Sequence, residues 1–586
     1  MSYVHVGQPC RNFNILGLIT ILDPRDGREK VALSNFASGA TGNLVLIDPD
    51  SGEGESIPLP GDEGAWALLN LNNGRVLVGT CPRFGYLHSL DLRSRTWAEP
   101  LRDADELYIW NLARGSDGKV YGGTWPGCRL LRYDPATHRL DNLGRVSDNP
   151  DNAYSRMVYA LPGRLLVACG YADPHLSVWD IASGECRRFG KPGAVVREVN
   201  AQFVCVETDG ALEFHDARTL EPLADDFRNA LTPQRRSMLP AANGSIELRD
   251  GRLFVVRGQE YAIEAAPGRP HTQPALMPIP AERPATRIHT LISDAQGRLW
   301  GSSAFGQTIF RYDPASGEVW NSQVVCDAGG EVYGMAFAGD RLFMSAYAGG
   351  DHIVYDPAQA WNQIDNVNPR TLQTVRPVLI RPSGRSVIGP DGAFWTGWMA
   401  AYGVYGGGLS RVDTRTGEVQ CWHDPIPGQA ITSLTAGADC LYFITGGQAN
   451  GLPEKIEPLH CVAWSVDGRI LAERVYAAGA RLRAICATRA GVALAVDQRL
   501  ELLDSETLNV VNSAALPVGC QLLLAWGDDG LAAFCGAQFL HVRPLRGEVK
   551  PVCDLPGEVY AATFTPAGDL YFACEQDLYR LPAGLD

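Results

Sequence analysis

The chain has 586 residues, which is more than one ordinary compact domain holds, so several units or one repeat array are expected. Its formal net charge of -15 at pH 7 argues against a nucleic-acid binder, which usually presents a basic face, and disfavours docking on an anionic membrane. No stretch approaches the roughly 20 consecutive apolar residues that a membrane helix needs.

The N-terminal stretch MSYVHVGQPCRNFNILGLIT has no basic segment, no long apolar run and no small-residue cleavage site, so it does not resemble a signal peptide. The 15 cysteines are an odd number, lie scattered along the chain and form no C-x-x-C pair. This usage fits reduced thiols better than a disulfide framework. Together these observations predict a cytoplasmic protein.

A repeat also runs along the chain. Its marker is the aspartate in segments such as RYDP and VYDP, where a predicted strand ends. Between positions 48, 91, 134 and 180 the marker recurs in steps of 43, 43 and 46 residues, and positions 313 and 356 are again 43 apart. Because aspartate and proline are turn formers, we interpret the marker as a turn residue with a structural role. The marker residues are Asp48, Asp91, Asp134, Asp180, Asp216, Asp313, Asp356, Asp413 and Asp504.

Within one repeat, the segments LYIWNLAR, KVYGGTW, RLLRYD and RLDNLG are predicted strands, separated by the turns GSDG, PGC and PATH. Four antiparallel strands every 40–50 residues make a β-propeller blade, and a count of about 13 blades exceeds the usual 4–8 of one ring. The sequence therefore predicts an all-β protein of two tandem β-propellers, about seven four-stranded blades followed by six or seven. The predicted domains are 1–325 and 326–586, meeting near residues 322–332.

The segment GPDGAFWTGWMAAYGVYGGGLSRVDTRTGEVQCW (389–422) resembles the repeats of streptogramin-lyase and gluconolactonase-like propellers. Those repeats run as Gly-Pro-Asp-Gly, an aromatic strand, and Gly-x-Leu/Ile-x-Arg-x-Asp-x-x-Thr-Gly. The segment SDAQGRLWGSSAFGQTIFRYDPASGEVW is similar. Since many unrelated propellers share this sequence pattern, the resemblance implies the fold and little about the chemistry.

Candidate site residues are those at which the copies differ, because a purely structural repeat would hold small turn residues in the same slots. The slots considered are the end of the second strand, the start of the third strand and the entry of the first strand, which share the mouth of the central funnel. They hold Tyr86, Tyr108, Trp125, Arg129, Arg156, Tyr171, His175, Arg287 and His289. We expect five of them to converge on the mouth of the first ring, namely Tyr108, Arg129, Arg156, His175 and Arg287. The alternative is that such residues only cap the blade tops.

Two further histidines, His88 and His352, stand at positions that other copies fill with Leu, Ile or Phe. A histidine at such an apolar position is more often a hydrogen-bonded core residue than a catalytic group. We therefore predict structural roles for both.

The funnel residue types resemble those of propeller-type polysaccharide lyases, which place His, Tyr and Arg in such a funnel. This resemblance implies β-elimination on a uronate-containing oligosaccharide, in which arginine neutralises the carboxylate, histidine abstracts the adjacent proton and tyrosine protonates the leaving oxygen. In this interpretation the base is His175 or His289, the acid is Tyr108 or Tyr171, and the substrate-binding residues are Arg129, Arg156, Arg287, Trp125 and Tyr86.

The familiar motifs of serine hydrolases, zinc proteases, P-loop proteins and Rossmann enzymes are absent from the sequence. No cofactor is required by the residues, and no metal site is predicted, although a divalent cation held by residues from several blades stays open. Two other functions stay open beside the lyase. One is a non-catalytic scaffold that binds a protein partner, and the other is a glycoside hydrolase with its cleft between the two rings.

Overall fold

The structure is a computed structural model that describes residues 3–224, 227–233, 235–239, 243–269, 274–328 and 330–584. Strands make up 52% of the chain, and the helical segments in the described ranges are two 3-10 turns, Arg228–Ala230 and Pro544–Arg546. The predicted all-β propeller class is confirmed. Nowhere in the described ranges is there a helix with the length and apolar character needed to cross a bilayer.

The strands form a succession of antiparallel sheets, and each sheet is one blade except the first, which holds two. We number the blades in chain order. Blades 1 and 2 share one sheet through a single pair, Phe36 with Gly64. A Cβ atom on Gly64 would lie 2.7 Å from the Cα of Phe36, so this close approach requires glycine.

The strands of blades 1 to 6 are as follows: Asn14–Leu22, Glu29–Phe36, Asn43–Ile47 and Gly54–Pro58 in blade 1; Gly64–Asn70, Arg75–Cys81, Leu87–Asp91 and Thr96–Trp97 in blade 2; Tyr108–Arg114, Val120–Trp125, Arg129–Asp134 and Arg139–Arg145 in blade 3; Tyr154–Leu161, Arg164–Gly170, His175–Asp180 and Cys186–Phe189 in blade 4; Val195–Val199, Phe203–Thr208 and Ala211–Asp216 in blade 5; Gly244–Glu247, Leu253–Arg257, Glu260–Glu264 and Met277–Pro278 in blade 6.

The strands of blades 7 to 13 are as follows: Ile288–Ser293, Leu299–Ser303, Ile309–Tyr312 and Val319–Asn321 in blade 7; Val332–Ala338, Arg341–Ala346, Asp351–Tyr355 and Arg370–Thr371 in blade 8; Leu379–Arg381, Val387–Ile388, Phe394–Ala400, Gly407–Val412 and Val419–His423 in blade 9; Ala430–Ala436, Leu441–Gly446, Leu459–Trp464 and Ile470–Tyr476 in blade 10; Leu482–Thr488, Gly491–Val496, Arg499–Leu503 and Val510–Ala515 in blade 11; Cys520–Trp526, Gly530–Cys535, Gln538–Arg543 and Glu548–Asp554 in blade 12; Ala561–Phe564, Leu570–Cys574, Asp577–Leu581 and the N-terminal Val4–Gly7 in blade 13.

Residue contacts divide the chain into two compact units. The first propeller, as we call it, consists of Asn14–Glu282 with Gly451–Pro453 and contains blades 1 to 6 of the described residues. The second propeller contains blades 7 to 13 and consists of Met1–Phe13, Arg283–Asn450 and Glu454–Asp586.

This division differs from the predicted boundary at 325/326, because it falls at 13/14 and 282/283. The reason is a strand pairing between the two ends of the chain. Val4–Gly7 pairs antiparallel with Asp577–Leu581 and supplies the outer strand of blade 13. The chain therefore enters the second propeller first, leaves it for the first propeller, and returns at blade 7.

Neighbouring blades bury their apolar faces against each other. Leu77 of blade 2 packs in one cluster with Ile109 and Val120 of blade 3, and all three are at most 1% exposed. Burying a side chain of this size contributes about 1.5–3 kcal/mol relative to leaving it in water. One four-stranded sheet has no other partner for its faces, which is why the sequence repeats.

The marker aspartates act as turn residues, as predicted. The Asp180 carboxylate accepts hydrogen bonds from the backbone N–H groups of Ala182 and Ser183, at 3.1 and 3.0 Å. These bonds fix the turn between the third and fourth strands. The same pair of backbone bonds is made by Asp48, Asp91, Asp216, Asp413 and Asp504.

His88 and His352 are both buried in the third strands of their blades, but their surroundings differ. The two ring nitrogens of His352 contact the Gln373 carbonyl oxygen and the Ser410 hydroxyl, at 3.1 and 2.8 Å. The hydrogen-bonded core role is therefore confirmed for His352. Neither ring nitrogen of His88 has a hydrogen-bond partner in the described residues, and burial lowers the pKa of His88 to about 4.

This contrast predicts opposite effects on stability. His88→Phe should raise the free energy of unfolding by about 1–2 kcal/mol at pH 7, because it removes two unsatisfied polar atoms. The gain should grow at pH 5, since a folded pKa near 4 against an ordinary 6.5 means that the unfolded chain binds a proton first as the pH falls. His352→Phe is the control and should destabilise at pH 7. Calorimetric unfolding of both variants decides, and a loss of stability in His88→Phe at both pH values would contradict the prediction.

Candidate functional site

The first strand of most blades carries a β-bulge close to its start. First strands of neighbouring blades contact each other, so they surround the centre of their ring. In blade 3, Ile109 pairs with Thr124 and Asn111 with Gly123, which leaves Trp110 as the extra residue. A bulge bends the strand and re-aims a side chain. We call these extra residues the bulge residues; they include Leu16, Trp66, Trp110, Arg156 and Arg197 in the first propeller, and His289, Tyr333, Thr432, Arg483 and Gln521 in the second.

In the second propeller the bulge residues line a cavity of about 400 Å³. All seven blades contribute to its wall. Blade 9 does so through residues 383–385, which interrupt its inner strand. A concave site with convergent polar groups is the usual form of a small-ligand site. The charged and polar lining residues, beyond the bulge residues, include Arg287, Ser383, Arg385, Glu558, Tyr560 and Glu575.

The cavity holds more positive groups than negative ones, since three arginines face two glutamates. Arg287 is neutralised by Glu575, with 2.6 Å between Nε and Oε2. Arg385 and Arg483 form no ion pair with any carboxylate in the part of the chain that the structure describes. Burial lowers the pKa of Arg385 to about 10, which leaves it charged at neutral pH. This acidic protein therefore has a locally positive cavity, which suits an anionic ligand.

His289 faces the cavity from blade 7, and its ring meets the ring of Tyr333 edge-on with 4.4 Å between centroids. Burial, together with the positive charges of Arg381 and Arg287, lowers the pKa of His289 to about 4. At neutral pH its imidazole is therefore uncharged. An uncharged imidazole has a free lone pair and can accept a proton.

Behind the cavity wall, a cage of tyrosines holds the half-buried Arg381. The Arg381 Nη1 donates to the Tyr333 hydroxyl at 2.6 Å, and Nε donates to the Asn450 Oδ1 at 2.8 Å. The guanidinium also stacks on the ring of Tyr347 at 3.9 Å from its centroid. The Tyr347 and Tyr402 hydroxyls are 2.7 Å apart. These contacts fix Arg381, and no carboxylate of the described residues forms an ion pair with it. Its positive charge therefore acts on His289 in the cavity.

Glu331 is buried next to this cage, and its Oε2 has no hydrogen-bond partner in the described residues. Burial raises the pKa of Glu331 to about 7, although the nearby positive charge of Arg381 acts in the opposite direction. The carboxyl group thus keeps its proton to a much higher pH than an exposed glutamate does. Carboxyl groups with such strongly shifted pKa values are found most often at functional sites.

The first propeller gathers several predicted site residues into an aromatic cluster. Tyr108 stacks on Trp110 with 4.6 Å between ring centroids, and Trp125 meets Tyr108 edge-on at 5.3 Å. Tyr171 meets Tyr154 at 4.9 Å, and Tyr154 stacks on Trp110 at 5.7 Å. The predicted Tyr108, Trp125 and Tyr171 therefore lie in one connected set of rings.

Arg156 completes this aromatic cluster. Its guanidinium lies 3.9 Å from the ring centroid of Trp110 and 4.8 Å from that of Trp66. Contacts of a guanidinium with aromatic faces contribute about 0.5–2 kcal/mol each. Nη1 of Arg156 is buried and has no hydrogen-bond partner in the described ranges. Two indole rings rather than a carboxylate therefore hold this cation.

The remaining predicted residues of the first propeller have other partners. Arg129 forms ion pairs with Asp103, Asp105 and the buried Glu106, so its charge is already neutralised. Tyr86 packs against the rings of its own loop and strand. The side chain of His175 is 3% exposed, and its Nδ1 contacts the backbone oxygen of Asp173 at 2.8 Å.

The expectation that five side chains converge on the mouth of the first ring is wrong for Arg287. Arg287 and His289 belong to the second propeller, because the chain has already returned to it at residue 283. Sequence comparison missed Arg385 and Arg483. A signal for Arg483 was present, since it occupies the same bulge position as His289.

No protein-family model matches the sequence, and no curated protein matches it. Among solved structures, the extracellular domain of a protein described as a one component system of B. thetaiotaomicron is 11% identical, with a TM-score of 0.30. The match covers 99% of this chain and 83% of that chain. A catalytically inactive virginiamycin B lyase from Staphylococcus aureus, determined with quinupristin, is 12% identical with a TM-score of 0.39. That match covers 51% of this chain and 96% of the lyase.

At such identities and scores these likenesses say nothing about activity. The sheets of this chain and their order establish the fold: the chain is a repeat protein of two β-propellers, the class that the wording of its repeats implied.

Proposed function

We propose that the cavity of the second propeller binds a uronate-containing oligosaccharide and that the protein cleaves it by β-elimination. One observation carries the proposal. Arg385 and Arg483 line the cavity without a carboxylate partner in the described residues, close to His289, which is uncharged at neutral pH. A ligand carboxylate would supply the missing partner, because arginine pairs with carboxylates in a bidentate way.

In this proposal the two arginines neutralise the uronate carboxylate and thereby acidify the proton on the adjacent carbon. His289 takes that proton on its free nitrogen, a carbon–carbon double bond forms, and the bond to the glycosidic oxygen breaks. Bound carboxylate would also offset the positive charges around His289 and so raise its pKa toward that of an effective base.

The leaving oxygen needs a proton, for which Tyr333 is the proposed donor. Burial raises the pKa of Tyr333 well above its ordinary value, so the hydroxyl keeps its proton at neutral pH. The hydrogen bond from Arg381 would stabilise the phenolate that remains after transfer. Of the acids and bases that the sequence left open, His289 is retained as the base, and Tyr333 replaces Tyr108 and Tyr171 as the acid.

The test combines turnover and binding. Oligogalacturonates are incubated with the full chain, and the ultraviolet absorbance of an unsaturated uronate reports elimination. Arg483→Ala and Arg385→Ala should each weaken binding about tenfold, which is the loss of about 1.4 kcal/mol from one charge-assisted contact. His289→Gln should abolish turnover and leave binding nearly unchanged.

Arg481→Ala is the matched control, because Arg481 lies exposed two residues before Arg483 and does not line this cavity. It should bind like the unchanged protein. Binding without any turnover would reduce the proposal to a ligand-binding propeller. Equal binding by Arg481→Ala and Arg483→Ala would contradict the proposal that the oligosaccharide binds in this cavity.

A further inference from the structure

A cluster of two carboxylates and one imidazole lies at one end of blade 4 in the first propeller. Asp148 lies in the loop before the first strand of the blade, Asp173 precedes its third strand, and His175 begins that strand. One potential ligand atom from each residue lies within 4.8 Å of the others. Acidic clusters are common on protein surfaces, so the cluster needs further support before it is considered a metal site.

That support comes from the orientation of His175. Its Nδ1 is 2.8 Å from the backbone oxygen of Asp173, and because a carbonyl can only accept, Nδ1 carries the proton. The other nitrogen, Nε2, therefore holds a lone pair. It lies 3.9 Å from Oδ1 of Asp148 and makes no hydrogen bond of good geometry in the described residues, although the side chain is only 3% exposed. The thiol of Cys169, on the paired strand, is the other group that interacts with the imidazole. Metal-binding histidines are oriented in this way, with the second nitrogen donating to a carbonyl.

A second observation is that a cation already bridges the two carboxylates. Nη2 of Arg188 lies 2.6 Å from Oδ1 of Asp148 and also contacts the carboxylate of Asp173. Arg188 lies on the outer strand of the blade, and its side chain is 41% exposed. Exposed ion pairs of this kind are weak, so the guanidinium can be displaced.

The two segments that hold the cluster are fastened together by the fully buried Asn152. Its Nδ2 donates to the backbone oxygen of Asp173 at 2.8 Å, and its Oδ1 accepts from the backbone N–H of Asp173 at 2.9 Å. Nδ2 also donates to Ser147 Oγ at 3.0 Å. The loop that carries Asp148 and the turn that carries Asp173 are thus positioned before any ligand arrives.

We infer that Asp148, Asp173 and His175 form a Zn²⁺ site in which Arg188 occupies the place of the metal. One imidazole and two carboxylates are ligands that Zn²⁺ accepts, with water completing the coordination. Tetrahedral Zn²⁺ with bonds of about 2.0–2.2 Å places its ligand atoms roughly 3.4 Å apart. To meet this geometry, the 3.9 Å between His175 Nε2 and Asp148 Oδ1 has to shorten by about half an ångström. The Asp173 carboxylate, whose Oδ2 lies 3.8 Å from Nδ1 of His175, has to move toward Nε2.

The experiment is a calorimetric titration of the full chain with Zn²⁺ after removal of metals by a chelator. Arg188→Gln should bind Zn²⁺ about tenfold more tightly than the unchanged protein, because it removes the competing cation, worth about 1.4 kcal/mol over its contacts. Asp148→Asn in the Arg188→Gln background should lose this binding. Asp148 is 65% exposed, so its replacement leaves the packing intact.

Arg187→Gln is the matched control, since Arg187 is the exposed neighbour of Arg188 and contacts neither carboxylate of the cluster. It should titrate like the unchanged protein. Zn²⁺ that binds to other histidines and cysteines contributes equally to every titration, so it cancels when the variants are compared. Coinciding titrations of Arg188→Gln and Arg187→Gln, or tight binding that survives Asp148→Asn, would overturn the inference and leave Arg188 as a plain structural ion-pair residue.

Discussion

Replacing Arg381 by methionine should lower the free energy of unfolding of the second propeller by about 4 kcal/mol, the largest effect that we expect from one residue. The guanidinium donates to Tyr333 and Asn450 and stacks on Tyr347. A hydrogen bond from a charged group contributes about 1.5–3 kcal/mol, and a desolvated contact with an aromatic face about 2 kcal/mol, so partial repacking around methionine leaves a net loss of this size.

Two further variants separate geometry from charge. Arg381→Lys keeps the charge but cannot make the forked set of bonds, so it should recover less than half of the lost stability. Arg415→Met removes an arginine of the same blade whose side chain is 88% exposed, and it should change stability by less than about 0.5 kcal/mol. Calorimetric unfolding measures all three, and a loss below about 1 kcal/mol in Arg381→Met would show that the cage is not a stabilising element.

Glu331→Gln should stabilise the second propeller at pH 8 by about 3 kcal/mol and leave it nearly unchanged at pH 4. The folded pKa of Glu331 is about 7 against an ordinary 4.5, so the folded protein keeps a proton that the unfolded chain releases. This contribution is fully present below pH 4.5 and is lost as the pH rises through 7, where the buried group must ionise. A difference of about 2.5 in pKa corresponds to about 3 kcal/mol.

The measurement is the difference in calorimetric stability between Glu331→Gln and the unchanged protein at pH 4, 6 and 8. Taking the difference cancels the other titrating groups, including His289, whose lowered pKa acts with the opposite sign. Glu318→Gln, an exposed glutamate of blade 7, is the control and should show no such trend. A gain that is equal at pH 4 and pH 8 would mean that amide packing, not a buried charge, explains the effect.

The strand pattern was sufficient for the fold because blades are local structures. The predicted segments LYIWNLAR and KVYGGTW match Tyr108–Arg114 and Val120–Trp125 to within one residue at each end. The allotment of blades to rings was not predictable in this way. It depends on the pairing of Val4–Gly7 with Asp577–Leu581. Nothing in the composition of either segment indicates that the two pair.

The candidate site could be predicted from the sequence only in part, for a related reason. His289 and Arg287 were found as polar side chains at the entry of a first strand, but Tyr108 and Arg287 precede the bulge position by two residues, whereas Arg156 occupies it. The comparison of repeats by sequence therefore aligns positions of different blades that are not structurally equivalent. Arg385 lies where an inner strand is interrupted, so a strict repeat offers no slot for it.

The recurring bulge has a consequence for how such a protein can change. A bulge residue is the extra member of its strand, so the residues on either side keep their partners on the second strand whatever side chain it carries. Thr432 and Gln521 could therefore be exchanged without rebuilding the sheet that holds them. Ligand preference and ring assembly are then encoded at separate positions. A repeat scaffold of this kind can change its ligand specificity one blade at a time, with little effect on the architecture that the blades share.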